Sequence, residues 1–219
     1  MFRWQTARGG QQEHGLEFPK EASLRDLRYA VLDTELTSLD QRSNRLLSIG
    51  GIAMDGSKIR MAPQFYRVVN PGMPIPAESV VIHRLRAEDV EEGEPLMRVL
   101  EDLRQFVEGA VIVGHFVNID LQILRKELGG AHKLGNPAVD TARVHRWILR
   151  HGRYSEELPT QLDHLDLVTL ASTYALEVHD VHHALHDAFL TARIWQQMIP
   201  ILDSKGIRNL RQLLRIGGA

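Results

Sequence analysis

Three acidic stations follow one another along the chain. They are Asp33-Thr34-Glu35, then Gly114-His115 with Asp120 five residues beyond the histidine, then His182 with Asp187 at the same offset. The first station closes an apolar run, Tyr29-Ala30-Val31-Leu32, that reads as a short buried strand. Side chains alternate along a strand, so Asp33 and Glu35 share a face. Two carboxylates side by side there repel each other and lose hydration. A cation held between them removes both penalties. Asp120 and Asp187 also follow apolar segments, so four carboxylates can converge where the sheet ends. Hard oxygen donors with no thiolate among them suit Mg²⁺ or Mn²⁺.

Each station alone has a plainer reading. Asp33 and Glu35 fit the solvated face of an edge strand. Asp120 fits the first turn of a helix, where the dipole favours a carboxylate. Asp187 fits the boundary of an apolar helix face formed by Leu185, Ala188, Phe189 and Ala192. His182 belongs to a cluster with His179, His183 and His186, whose spacing also admits a zinc site. The three patterns in this order point instead to metal-assisted hydrolysis of a phosphodiester. In that chemistry two cations about 3.5–4 Å apart activate a water and stabilise the leaving oxygen. Histidine suits the general base because its side chain exchanges protons near neutral pH.

The elements that must position these groups are expected as follows. Strands cover 29–34, 45–54 and 59–69, with a hairpin turn at Asp55-Gly56. Asn70-Pro71-Gly72-Met73-Pro74-Ile75-Pro76 is loop. A helix runs from Leu96 to Val107, a buried strand from Ala110 to Val113, and a helix from there to Leu128. Further helices cover about 140–150, 161–175, 183–203 and 207–215. Early hairpins and later crossover helices give an α/β fold, a five-stranded mixed sheet flanked by helices. Residues 1–27 form an N-terminal arm with a short helix, 28–203 the main domain, and 204–219 a C-terminal helix and tail.

With 219 residues, 43% apolar and 25% charged, the chain can bury a sizeable core. It contains no cysteine, which excludes disulfides and thiolate metal sites and suits the reducing cytoplasm. No run approaches membrane-spanning length, and Met1 to Arg8 lack a signal-like apolar core. The net charge of −2 gives no global basic field, so nucleic-acid affinity has to come from local contacts, metals and recognition of chain ends.

The order Asp-x-Glu, Gly-His-(x)₄-Asp, His-(x)₄-Asp resembles the DEDD superfamily of 3′–5′ exonucleases. The match is to its histidine-bearing branch, which includes proofreading epsilon subunits of bacterial replicative polymerases. The resemblance spans roughly residues 28–200 and takes in Val81-Ile82-His83-Arg84-Leu85, Asp89-Val90, Pro95 and Val139-Asp140-Thr141-Ala142-Arg143. It implies a ribonuclease H-like fold and two divalent cations, Mg²⁺ or Mn²⁺, held by Asp33, Glu35, Asp120 and Asp187. It further implies His182 as the base, substrate contacts from Leu36, Thr37, His83 and His115, and the 3′ ends of single-stranded nucleic acid as substrate. Leu36-Thr37-Ser38 stands where the family often has Thr-Thr-Gly. Phe116 and Ile119 replace an Asn and a Phe of its Gly-His-Asn-x-x-Phe-Asp.

Two other classes compete. His186-Asp187 with His182 and His183 suggests an HD-type metal phosphohydrolase, an all-helical architecture. A non-catalytic nucleic-acid-binding module would keep the fold without the chemistry. Gln212-Leu213-Leu214-Arg215-Ile216 faintly resembles a sliding-clamp peptide but reads better as an amphipathic C-terminal helix. A free-standing enzyme is therefore expected over a polymerase subunit.

Overall fold

The structure is a computed structural model and describes residues 18–38, 40, 42–73, 85–129, 134–151, 165–179 and 181–219. Strand β1 (Arg28–Leu36) is the axis of the sheet because both of its faces are apolar. Tyr29 and Val31 enter one core, Ala30 and Leu32 the other, and all four are at most 1% exposed. β2 (Leu46–Asp55) runs antiparallel to β1, turns at Gly56 into β3 (Lys58–Ile59), and on its other edge pairs antiparallel with β4 (Phe65–Asn70). Gly56 supplies the positive φ of +54° that this tight turn requires. After helix α1 (Ala87–Glu91), β5 (Glu94–Pro95) joins β4 in parallel. Helix α2 (Leu96–Val107) then crosses over to β6 (Val111–Gly114), parallel to β1. Helix α3 (Asn118–Leu128) leads on to β7 (Ala138–Asp140), parallel to β6. Helices α4 (Thr141–Arg150), α5 (Leu167–Thr173), α6 (Ala184–Ser204) and α7 (Leu210–Gly217) follow.

The resulting order is β5-β4-β2-β1-β6-β7, with β3 extending the β2 edge. This is the mixed sheet flanked by helices that the sequence leads one to expect, with seven strands in place of five. The expected strand 59–69 is two strands, broken between Ile59 and Phe65, and β5 and β7 are only two and three residues long. A seven-stranded sheet is incompatible with the all-helical HD architecture.

Each face of the sheet carries a core. On one side α6 lays Ala188, Trp195 and Met198 against Tyr29, Val31, Ile52 and Met54, with the Trp195 ring edge-on to Tyr29 at 5.5 Å. On the other, Val99, Leu100 and Leu103 of α2 and Leu124 of α3 meet Leu32, Ile49 and Phe65. Each buried Val, Leu, Ile, Phe or Met among these contributes roughly 1.5–3 kcal/mol by leaving water.

The flanking segments join this core. Tyr29 donates its hydroxyl to the Leu24 carbonyl at 2.9 Å, and Ser23 pairs with Asn209 in a β-bridge. Residues 18–27 form turns, and 1–17 lie outside the described residues. Leu210 and Leu213 of α7 are fully buried, and Gln212 accepts the Arg208 N–H in the helix cap. The clamp-like segment thus spends its leucine and its glutamine inside the fold. Among the described residues no helix is long and apolar enough to cross a membrane.

Candidate active site

Strand alternation sends Asp33 and Glu35 to the α6 side of β1 and Leu36 to the other, where it is 5% exposed in the core with Leu32 and Leu46. The β1–β2 register shifts between Glu35 and Leu36, so the strand bends just past the two carboxylates. Opposite Asp33 on β2 stands Gly50. A Cβ there would collide with the Ala184 carbonyl, so the missing side chain is what lets the start of α6 lie directly on the sheet. That docking brings Asp187, in the first turn of α6, to the first station. Carboxylate oxygens of Asp33, Glu35 and Asp187 fall within 4.8 Å of one another.

Asp120 arrives from another direction, in the first turn of α3, and is 5% exposed. Thr34, whose side chain leaves β1 between the two first-station acids, donates its hydroxyl to Asp120 Oδ1 at 2.6 Å. The turn that carries Asp120 is held from β7. Phe116 adopts a left-handed φ of 51° and donates its N–H to Asp140 Oδ1 at 3.2 Å, while the same carboxylate caps α4 through Ala142 N–H at 2.9 Å. His115 is committed to this turn. Its Nε2 lies 2.6 Å from the Leu165 carbonyl, which can only accept, so Nε2 carries the proton. Its Nδ1 lies 3.0 Å from the Thr141 hydroxyl, which is also 3.2 Å from the Gly114 carbonyl. Burial lowers the pKa of this ring, in keeping with the neutral form. The family resemblance implies a substrate contact at His115, whereas here both of its ring nitrogens face protein partners.

Of the other sequence candidates, Thr37 accepts the Arg45 N–H on its hydroxyl at 2.9 Å at the end of β1. His83 lies outside the described residues. His182 is exposed at the rim, with a left-handed φ of 66°, and its N–H donates to Asp187 Oδ2 at 2.9 Å. His179 is exposed, 3.5 Å from Glu177 and away from the acids. The histidines therefore do not form one zinc site. His183 instead stacks on Tyr66 of β4 and on His186.

The acids are poised against their own charge. Burial, then Asp120, Glu35 and Asp187 in turn, push Asp33 well above the ordinary carboxylate range. Burial lifts Asp120 to about 7 against the opposing Thr34 hydrogen bond, and Asp187 to about 6 against the His182 N–H. Such a cluster fits hard divalent cations: its donors are all carboxylate oxygens, and those of Asp33, Glu35 and Asp187 converge.

The sign of the pH effect follows. Between about pH 4 and 7 the folded, metal-free chain retains an Asp120 proton that the unfolded chain releases, so this group destabilises the fold as pH rises. Buried His145, pushed down to about 4 by desolvation, acts oppositely, its contribution being lost as pH falls from about 6.5 to 4. Asp120→Asn removes the first titration, leaves the histidine and preserves an acceptor for Thr34. In EDTA the melting temperature of the variant minus that of wild type is expected to grow from pH 4 to pH 8. A flat difference would refute the assignment.

Thr34, Gly50 and Asp140 were not singled out as site supports from sequence. Thr34 and Asp140 lie inside recognised segments, and only the geometry shows their partners.

A family model described as Exonuclease (RNase T) matches residues 30–195. A DNA polymerase III subunit epsilon-like protein of Rhodobacter capsulatus is 28% identical over 196 residues, 89% of this chain and 27% of that protein. A PolC-type DNA polymerase III of Caldanaerobacter subterraneus is 28% identical over 88% of this chain and 13% of its own length. The chain thus spans about a quarter or less of these relatives. Among solved structures, E. coli Exonuclease I in complex with a dT13 oligonucleotide superposes with a TM-score of 0.68 at 15% identity, over 81% of this chain and 42% of that one. The nuclease domain of 3′hExo, a DEDDh family member bound to rAMP, gives 0.66 at 11% identity, over 82% and 94%. At these identities the structures establish likeness of fold.

Proposed function

The chain belongs to the exonuclease family, and from that premise we propose that it removes nucleotides one at a time from the 3′ end of single-stranded nucleic acid, with DNA as the first substrate to test. One observation carries the reading: Asp33, Glu35 and Asp187 bring carboxylate oxygens within 4.8 Å of one another at the sheet end, with Asp120 pinned beside them by Thr34. When bound, two divalent cations, Mg²⁺ or Mn²⁺, would supply Lewis-acid charge to the scissile phosphate and acidify a water. Asp33, Glu35 and Asp187 would hold the cation site, with Asp120 completing its other side. His182, exposed at the rim and tethered through its backbone to Asp187, would accept the proton of the attacking water. The water oxygen bonds to phosphorus, the bond from phosphorus to the 3′ oxygen of the preceding nucleotide breaks, and that oxygen takes up a proton. The products are a shortened strand with a free 3′-OH and a nucleoside 5′-monophosphate. The relatives named for DNA polymerase III make bacterial replication and the cytoplasm the setting in which to look for this activity.

The test is a 5′-labelled single strand, DNA and RNA in parallel, with Mg²⁺ or Mn²⁺ and with EDTA. Stepwise shortening from the 3′ end with release of 5′-monophosphates, arrested by EDTA, is the expected result. Internal cuts, products ending in a 3′-phosphate, or no cleavage would overturn the reading.

A further inference from the structure

Asp33, Gly50 and Tyr66 form one row across β1, β2 and β4, each the register partner of the next. Pairing across a sheet keeps partners on one face, so Tyr66 shares the α6 side with Asp33. Gly50 in the middle of the row is the seat of Ala184. The start of α6 therefore meets the sheet at two places, with Asp187 beside the carboxylates and His183 stacked on Tyr66. The Tyr66 and His183 rings stack at 4.7 Å and 23°, and His183 and His186 stack at 4.4 Å and 29°. His183 is the N-cap residue of α6, yet its side chain makes no capping hydrogen bond. Its ring serves the stack instead.

His183 adjoins His182, whose backbone is left-handed and whose N–H holds Asp187. Left-handed geometry is unfavourable for a non-glycine residue and persists only where neighbouring structure enforces it. The stack holds the side chain of the residue that follows His182. We propose that Tyr66 and His183 are positioning residues: their stacked rings lock the first turn of α6 and thereby aim His182 and Asp187 at the Asp33–Glu35 pair.

This role rests on the exonuclease reading, and its test separates the two. Tyr66→Leu and His183→Leu should each lower kcat per folded molecule about tenfold or more, since misplacement by about 1 Å can cost about a hundredfold. KM for a single-stranded oligonucleotide should stay within about twofold. Tyr66→Phe and His183→Phe, which keep a flat ring, should retain most of the rate. The Leu/Leu double variant should be little worse than either single one, because both break the same stack. A readout independent of turnover is the ring-proton NMR spectrum. The upfield shift of the His183 ring signal should survive in Tyr66→Phe and shrink in Tyr66→Leu, where only the His186 ring remains stacked on it and the His182 signal broadens or splits. Wild-type turnover with unchanged kcat in the Leu variants, or Phe variants as impaired as Leu, would overturn the positioning role and leave the exonuclease reading standing. Absence of hydrolysis by wild type would overturn both.

Discussion

Replacing Asp33 or Asp187 by alanine is expected to leave less than about a hundredth of the wild-type rate, since each removes a ligand from a centre that stabilises transition-state charge by several kcal/mol. The fold should survive. Asp33 and Asp187 are both held above the ordinary carboxylate range by burial and by their acidic neighbours, so deleting one relieves repulsion. In EDTA near neutral pH each variant should melt at or above the wild-type temperature. In Mg²⁺ the order should reverse, because only the intact site is stabilised by bound cation. Asp187→Asn, which keeps an acceptor for the His182 N–H, should be as inactive as alanine. If either alanine variant keeps more than a few per cent of the rate, the carboxylate centre is misassigned.

His182→Ala is expected to lower kcat by about 10²–10⁴, the usual contribution of a general base, with cation affinity nearly unchanged because its link to Asp187 is a backbone N–H. His186→Ala leaves the Tyr66–His183 contact in place and should cost far less. Kinetics of the two variants on one oligonucleotide decide between the rings. An equal loss at His186 would move the base to that side chain.

Much of this site was legible before any coordinates, for reasons that particular residues make plain. Tyr29-Ala30-Val31-Leu32 could only be a strand buried on both faces, and strict alternation then sets Asp33 beside Glu35. The helix 96–107 announced itself through Leu96, Val99, Leu100, Leu103 and Val107, and ends where expected. What escaped was short or depended on partners distant in sequence. β7 is three residues long, too few to show a period. The expected strand 59–69 ran through Pro63, whose missing N–H breaks the ladder between β3 and β4. Leu36 follows the acids so closely that it invited a role at the substrate, yet a single step of alternation carries it through the sheet into the opposite core. Gly50 reads as an ordinary small residue in a strand until α6 is seated on it. Tyr66 and His183 lie more than a hundred positions apart, and no local pattern could pair their rings.

The seat of α6 on Gly50 has a temporal meaning. Asp33 and Asp187 stand about 150 positions apart, one supplied by the first strand of the sheet and the other by a helix near the end of the chain. A chain emerging from the ribosome carries Asp33 and Glu35 before Asp187 exists, so under the proposed reading it cannot cut nucleic acid until α6 has been made. Under the proposed reading the centre is complete only once α6 has docked, a contact of high sequence separation. The reverse also holds. Fraying of the first turn of α6 dismantles the centre while the sheet beneath stays folded, which puts an inactive state one helical turn away from the native one.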